Sequence, residues 1–150
     1  MADTNWECKK FMDLSVEELY WILKLRSEVF VVEQNCVYLD TDDKDQAAMH
    51  LCGWQNNLLV GYLRILSPGV SYTEPSIGRV CTNTYFRKTG IGKILMKEGI
   101  EYCYKLFPDQ NIRISAQVYL LNFYKNLGFK QVSEHYLEDN IPHAEMLHIK

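Results

Sequence analysis

Two glycines one residue apart, an arginine three positions before the first of them, and lysines close by make up the run Arg87-Lys88-Thr89-Gly90-Ile91-Gly92-Lys93. The chemistry this pattern suggests is capture of an anion, phosphate above all. A short segment with β-branched residues (Ile77, Val80, Thr82) precedes it. Apolar or small residues at Ile91, Leu95, Gly99, Tyr102 and Leu106 follow at helical spacing. Strand, Gly-x-Gly turn and helix, in that order, aim several backbone N–H groups and the positive end of the helix dipole at one spot. Gly90 and Gly92 carry no Cβ, so the backbone comes close to the anion. Arg87, Lys88 and Lys93 add positive charge around it. Two other phosphate loops are excluded: the run lacks G-x-x-x-x-G-K-[ST], and the third position after Gly92 is Leu95 rather than the last glycine of a dinucleotide fingerprint. On the loop alone, a phosphate site and a plain helix start with two turn glycines and solvated lysines weigh equally.

Other side chains invite chemistry less sharply. His50 and His143 are candidates because an unperturbed imidazole, with a pKa of about 6.5, suits base work near neutrality, although a hydrogen-bonded structural role is the commoner fate of each. Their spacing to the nearby acids matches no metal motif, so no metal is expected. Asp40, Asp42, Asp43 and Asp45 cluster tightly but miss the D-x-[DN]-x-[DN]-G pattern of a calcium loop. The expectation is a solvated acidic loop. Cys81, in the strand before the glycine turn, has no histidine beside it in sequence to activate it as a nucleophile.

The elements that must hold these residues read as follows. A poorly alternating strand runs from Trp6 to Phe11. Ser15 and Glu18 form a capping box for a helix striped by Leu19, Ile22, Leu23, Arg26 and Phe30. Arg26 on that stripe is expected to snorkel at its edge. From Ala47 the chain turns to strands, a hairpin closing at Asn56-Asn57. After a loop with two prolines comes the strand, glycine turn and helix, which stops before Pro108. Residues 111–117 predict a strand and Tyr119 to Leu127 a short helix capped by Gly128. The C-terminal stretch predicts two strands around the turn Glu138-Asp139-Asn140. The sum is a mixed α/β (α+β) domain on one sheet flanked by helices.

The whole chain bounds the rest. Its 150 residues suit one domain, 1–150, and 47% hydrophobic with 23% charged residues allows a sizeable core. A net charge of −3 with no basic face excludes nucleic acid as an expected partner. The odd number of cysteines (Cys8, Cys36, Cys52, Cys81, Cys103), none at C-x-x-C spacing, argues for a reducing compartment, hence the cytoplasm. No apolar run of ~18 residues predicts a membrane helix, and the N-terminal residues carry no secretory pattern.

Arg87 to Gly92 resembles the [Q/R]-x-x-G-x-[G/A] acetyl-CoA loop of the GNAT N-acetyltransferase family. Asn122 to Phe129 is similar to that family's later helix, which ends in a tyrosine four residues before Gly-Phe. Further stretches resemble its ElaA-like branch: Leu25-Arg26 with Val29 to Gln34, Asp45 through His50-Leu51, Ile77 to Val80, Ser115-Ala116-Gln117, and Tyr136 to Met146. The resemblance covers nearly the whole chain and implies the GNAT fold, acetyl-CoA as cosubstrate and an amine as acceptor. It implies that residues 87–93 grip the pyrophosphate, and that a backbone N–H near Val80, Cys81 and Thr82 polarises the thioester carbonyl. It also implies that Gln117 and Asn122 line the cofactor and that Tyr124 protonates the leaving thiolate. Without the resemblance, Tyr124 on a Leu/Phe stripe reads as core. Glu33, His50 and His143 are the candidates for the base. Two departures stand out: Lys88 replaces a common glycine, and Gln117 replaces a common asparagine.

The reading is therefore an acetyl-CoA-dependent N-acyltransferase acting by direct attack, with a cationic acceptor favoured by the acids at 40–45. A non-catalytic acyl-CoA-binding sensor or scaffold is the alternative from another class, and a nucleotide-binding module is a third. Monomer and homodimer both remain open.

Overall fold

The computed structural model describes residues 3–150. Eight strands form one mixed sheet: β1 (Asn5–Lys10), β2 (Met49–Gln55), β3 (Leu58–Leu66), β4 (Ser76–Thr82), β5 (Ile112–Gln117), β6 (Phe129–Gln131), β7 (Tyr136–Glu138) and β8 (Ile141–His148). Their spatial order is β1-β2-β3-β4-β5-β8-β6, with β7 also paired to β8. Helices α1 (Val16–Arg26), α2 (Ile91–Leu106) and α3 (Leu121–Lys125) complete the fold. Among the described residues no helix is long and apolar enough to cross a membrane.

Local sequence signals account for most of these elements. The Glu18 N–H donates to the Ser15 hydroxyl (3.0 Å) and the Ser15 N–H to the Glu18 carboxylate (2.8 Å), closing the expected capping box on α1. Past Arg26 the helix widens into a π-helical turn, Ser27–Glu33, and stops at Asn35, which takes a φ of 49°. Asn56 and Asn57 take φ values of 49° and 66° and form the expected two-residue turn between β2 and β3.

The two faces of the sheet are covered by different helices. Side chains alternate along β3. Tyr62 packs with Ile22, Leu25 and Val29 of the α1 region. Leu63 and Ile65 pack with Leu95 and Met96 of α2. The close approach of α2 depends on Gly99, where a Cβ would lie 2.5 Å from Leu63 Cδ2. The buried stripe of α2 is Ile91, Leu95, Met96, Gly99 and Cys103. Leu106, expected on the stripe, is exposed.

Three boundaries differ from expectation. The first strand begins at Asn5, and Phe11 belongs to a 3₁₀ turn. The helix expected from Tyr119 starts as a 3₁₀ turn, Val118–Leu120, and becomes α-helical only over α3. The C-terminal stretch holds three strands rather than two, because β6 and β7 pair with opposite ends of β8.

The feature that matters for function lies between β4 and β5. They run parallel but share a single residue pair, Ser76 with Arg113. In β4, Tyr62 pairs with Cys81 and Arg64 with Gly78, so Arg79 and Val80 together face Leu63. Arg79 has a φ of 51°. This is a β-bulge, and bulges bend the strand that carries them. β4 turns away from β5, and a wedge opens in the middle of the sheet.

Candidate active site

The wedge is a cavity of about 550 Å³. Residues 77–82 of β4 form one wall, and Ile114, Ser115 and Gln117 of β5 the other. The end of the π-helical turn, the start of α3 and the β7–β8 turn complete its lining.

One end of the wedge is the glycine loop. Lys88 (φ 65°) and Gly90 (φ 85°) are both left-handed, and α2 begins at Ile91. The left-handed Lys88 explains why glycine suits that position in the family pattern. The first N–H groups of α2 have no partner within the helix, and the macrodipole adds positive potential there. Val80, Cys81, Thr82, Arg87, Gly92, Gln117 and Tyr124 all line the wedge. Lys88, Thr89, Gly90, Ile91 and Lys93 shape the loop and first turn at its end but are not part of its wall. Ile91 is buried in the core, so only its backbone is available. A Cβ at Gly92 would sit 3.9 Å from both Thr82 Cγ2 and the Phe123 ring, so a longer side chain there would fill the gap between β4 and α3. The donors and this cradle fit a phosphate-bearing group. Asn122, expected to touch the cofactor, is exposed on α3 outside the lining, because the helix turns Phe123 and Tyr124 inward instead.

Arg87 is not a free cation. Its guanidinium donates to both oxygens of the Glu33 carboxylate (Nη2 to Oε1, 2.7 Å) and to the Thr82 carbonyl (3.2 Å). The hydrogen bond from Arg87 holds the Glu33 carboxyl below the usual carboxylate range. Glu33, as it stands, is therefore a poor base.

Tyr124 is buried, with edge-on contacts to Phe123 and Phe129, and burial pushes its phenol well above the ordinary range. It remains protonated at neutral pH and so has a proton to donate. Burial likewise raises the Cys81 thiol, which makes it a weak nucleophile. His143 lines the wedge on β8, opposite Gln117. Its Nδ1–H donates to the Ile141 carbonyl (2.7 Å), which leaves the Nε2 lone pair available, 3.4 Å from the Glu138 carboxylate.

His50 is a correction. It alternates onto the α1 face of the sheet, not into the wedge, and is 1% exposed. Its Nε2–H donates to the Asp45 carbonyl (2.9 Å), so Nδ1 accepts from the Tyr62 hydroxyl (2.7 Å). Burial lowers its pKa. It is a satisfied core histidine.

The acidic loop and Arg26 are corrected together. Arg26 is fully buried and does not snorkel. It bonds Asp40 (2.7 Å) and Asp45 (2.8 Å). Arg64 bonds Asp42 (2.8 Å) and Asp45 (2.9 Å), and Arg79 donates to the Asp40 carbonyl (2.8 Å), lies 2.9 Å from the Asp40 carboxylate and reaches Asp42 (3.3 Å). Three arginines thus neutralise three aspartates. Of the four acids only Asp43 is exposed. The cluster offers little net field to steer a cation.

Several lining residues had no role assigned from sequence. Gln34 accepts a hydrogen bond from Gln117 (3.2 Å). Ser115 shares a hydrogen bond with Tyr136 (2.5 Å). Strand alternation was the available signal for Ser115, since it shares a face with Gln117. For Tyr38 and Arg79, which also line the wedge, the sequence offers none.

Comparison with known proteins shows the family and the fold. A family model described as acetyltransferase (GNAT) domain matches residues 14–149. The chain is 42% identical to protein ElaA of Escherichia coli over 95% of its own length and 94% of ElaA. It is 40% identical to a UPF0039 protein of Synechocystis over 97% and 95% of the two chains. The crystal structure of an acyl-CoA N-acyltransferase from Pseudomonas aeruginosa superposes with a TM-score of 0.94 at 40% identity, covering 98% of this chain and 100% of that one. E. coli ElaA superposes at 0.92, also at 40% identity and over the same shares.

Proposed function

The chain belongs to the GNAT acetyltransferase family, in the ElaA-like branch, and from that premise we propose that it moves an acetyl group from acetyl-CoA to a primary amine of a small molecule or peptide. The observation that carries this reading is the wedge itself: an anion-reading helix end at one extremity, and a phenol donor and a histidine lone pair along the same cavity.

In this reading the backbone of residues 87–93 holds the pyrophosphate, helped by Lys88 and Lys93. Gly92 leaves room beside Thr82 and Phe123. A backbone N–H of β4 near Val80 to Thr82 polarises the thioester carbonyl, and donors preset where charge develops often supply the largest catalytic contribution. The acceptor nitrogen bonds to the acyl carbon as the C–S bond breaks. The nitrogen's proton passes to His143 Nε2, and the sulfur takes a proton from Tyr124. A phenol this buried is a weak acid, so its first contribution is a hydrogen bond to the sulfur as charge grows there. His143 is preferred over Glu33, whose lone pairs are engaged by Arg87, and over His50, which lies elsewhere. The acceptor is cationic in this reading, favoured by Glu138 and Asp139 in the lining rather than by Asp40 to Asp45. The protein works as a single domain, and its five free cysteines suit the cytoplasm.

Thermal shift with acetyl-CoA, CoA and ATP is the first test. A ligand at ~100 times its Kd adds ~2.7 kcal/mol of stability. Acetyl-CoA and CoA are expected to raise the melting temperature, and ATP is not. If none shifts the melt, the loop is no pyrophosphate site and the reading falls. An amine screen reading thiol release follows, with Tyr124→Phe expected to lose on the order of 10²-fold in turnover while still binding CoA. Binding without release of thiol from any amine would favour a sensor instead.

A further inference from the structure

We propose that Glu33 and the CoA pyrophosphate compete for the Arg87 corner of the wedge, so that cofactor binding hands the Glu33 carboxylate over to the acceptor side. This rests on the functional reading above and adds to it a coupling between the two substrates.

The argument begins with where Glu33 sits. It is the last residue of the π-helical turn. The strap of residues 33–36 is held at the glycine loop, at β5 and at the β7–β8 turn. Glu33 pairs with Arg87 at the glycine loop. Gln34 meets Gln117 of β5 at 3.2 Å. The Cys36 thiol donates weakly to the Asp139 carbonyl at 3.4 Å, in the β7–β8 turn. The Gln34 and Cys36 contacts are single, and the two-bond Glu33–Arg87 pair stands in water, its side chains 41% and 34% exposed. Exposed pairs of this kind add little stability, so exchanging a partner is cheap.

The chemistry then favours exchange. Arg87 stands in the loop whose backbone reads as an anion seat, and it lines the same cavity as Gly92. A pyrophosphate brings more charge than a carboxylate and can engage the same planar fork. Even without contact to Arg87, it meets repulsion from the Glu33 carboxylate facing it. Once displaced, Glu33 leaves its carboxylate uncompensated in the same lining as Glu138 and Asp139, where it adds to the pull on a cationic acceptor. Because coupling is reciprocal, a cationic acceptor would in turn strengthen cofactor binding.

The test is calorimetric titration of CoA into the wild type and Glu33→Gln, paired with iodoacetamide labelling of Cys36 read on its peptide, with inorganic pyrophosphate as the added anion. CoA is expected to bind Glu33→Gln about threefold tighter, the size of one exposed charge contact. Pyrophosphate is expected to speed Cys36 labelling severalfold in the wild type, while Glu33→Gln labels fast with or without it. Equal or weaker CoA binding by a Glu33→Gln protein with an unchanged melting temperature overturns the competition and leaves the cofactor site standing. A Cys36 rate that pyrophosphate does not change overturns the handover. If CoA binds neither protein, the proposed function fails and this inference with it.

Discussion

Two sets of arginine–carboxylate pairs border the wedge, built from the same chemistry and put to opposite uses. On the α1 face, Arg26, Arg64 and Arg79 interlock with Asp40, Asp42 and Asp45. Arg26 there is 0% exposed, Arg64 3% and Asp45 7%. At the mouth, Arg87 and Glu33 form one well-shaped pair with roughly a third or more of each side chain in water. Burial makes the difference. Charges taken out of water are tolerable only while every partner is in place, so the first set is a rivet: it pins the irregular segment before β2 to α1, β3 and the β4 bulge. The second can open at little cost. An ion pair seen in a structure is scaffold or switch according to its solvation, not its geometry.

The largest effect that would break this comparison is at Arg26. Arg26→Ala leaves Asp40 and Asp45 buried without their fork and is expected to cost about 3–5 kcal/mol in chemical denaturation. A loss below about 1 kcal/mol would remove the rivet. Arg79→Ala, half-buried at the edge of the same network, is expected to cost about 1–2 kcal/mol. The network also has a pH signature. Burial alone would raise the Asp42 and Asp45 carboxyls, but hydrogen bonds from Arg64 and Arg26 outweigh it and hold both below the usual range. The stability they add is present above the unfolded pKa of ~3.9 and is lost as pH falls below it. His50, lowered by burial, acts earlier: the unfolded chain takes up its proton first, so stability falls below pH ~6.5 by up to ~1.4 kcal/mol per pH unit. His148, also lowered by burial, adds the same sign. His50→Gln should flatten this limb, and an unchanged slope would count against its buried neutral state. The smallest effect is expected at Glu33→Gln, whose stability should stay within about 0.5 kcal/mol of the wild type. A salt-insensitive loss larger than that would make the mouth pair a second rivet.

The elements set by local signals were legible in the sequence: the capping box at Ser15, the Asn56-Asn57 turn and the strand–glycine–helix order around Gly90. The cofactor end of the wedge was legible for the same reason, since one contiguous run builds it. The rivet was not. Arg26 stands on a helical stripe whose period says only that it faces inward, and its partners lie 14 and 19 residues away in a segment with no regular structure. Read alone, that segment is a row of acids, and row and arginine each look solvated. His50 was misplaced because both faces of β2 are buried and nothing local says that β3 separates this strand from the wedge, whose lining includes no β2 residue. Glu33 and Arg87 were both named as functional, but nothing in their sequence separation says that each occupies the other.

The bulge in β4 has a consequence of a different kind. Ile77 packs into the core under α2, yet Cys81, four residues on, packs with the α1 cluster. In an uninterrupted strand residues four apart share a face. One extra residue has changed the parity of the strand, so that odd and even positions exchange sides midway. The wedge is thus written in chain length rather than in side-chain identity. Replacing Arg79 or Val80 leaves the count intact. Removing either leaves Cys81 three residues from Ile77, on the opposite face as now, but takes out the extra residue that bends β4, and is expected to draw β4 back towards β5 and close the wedge. A scan by substitution would pass over this determinant, and a single-codon deletion would find it.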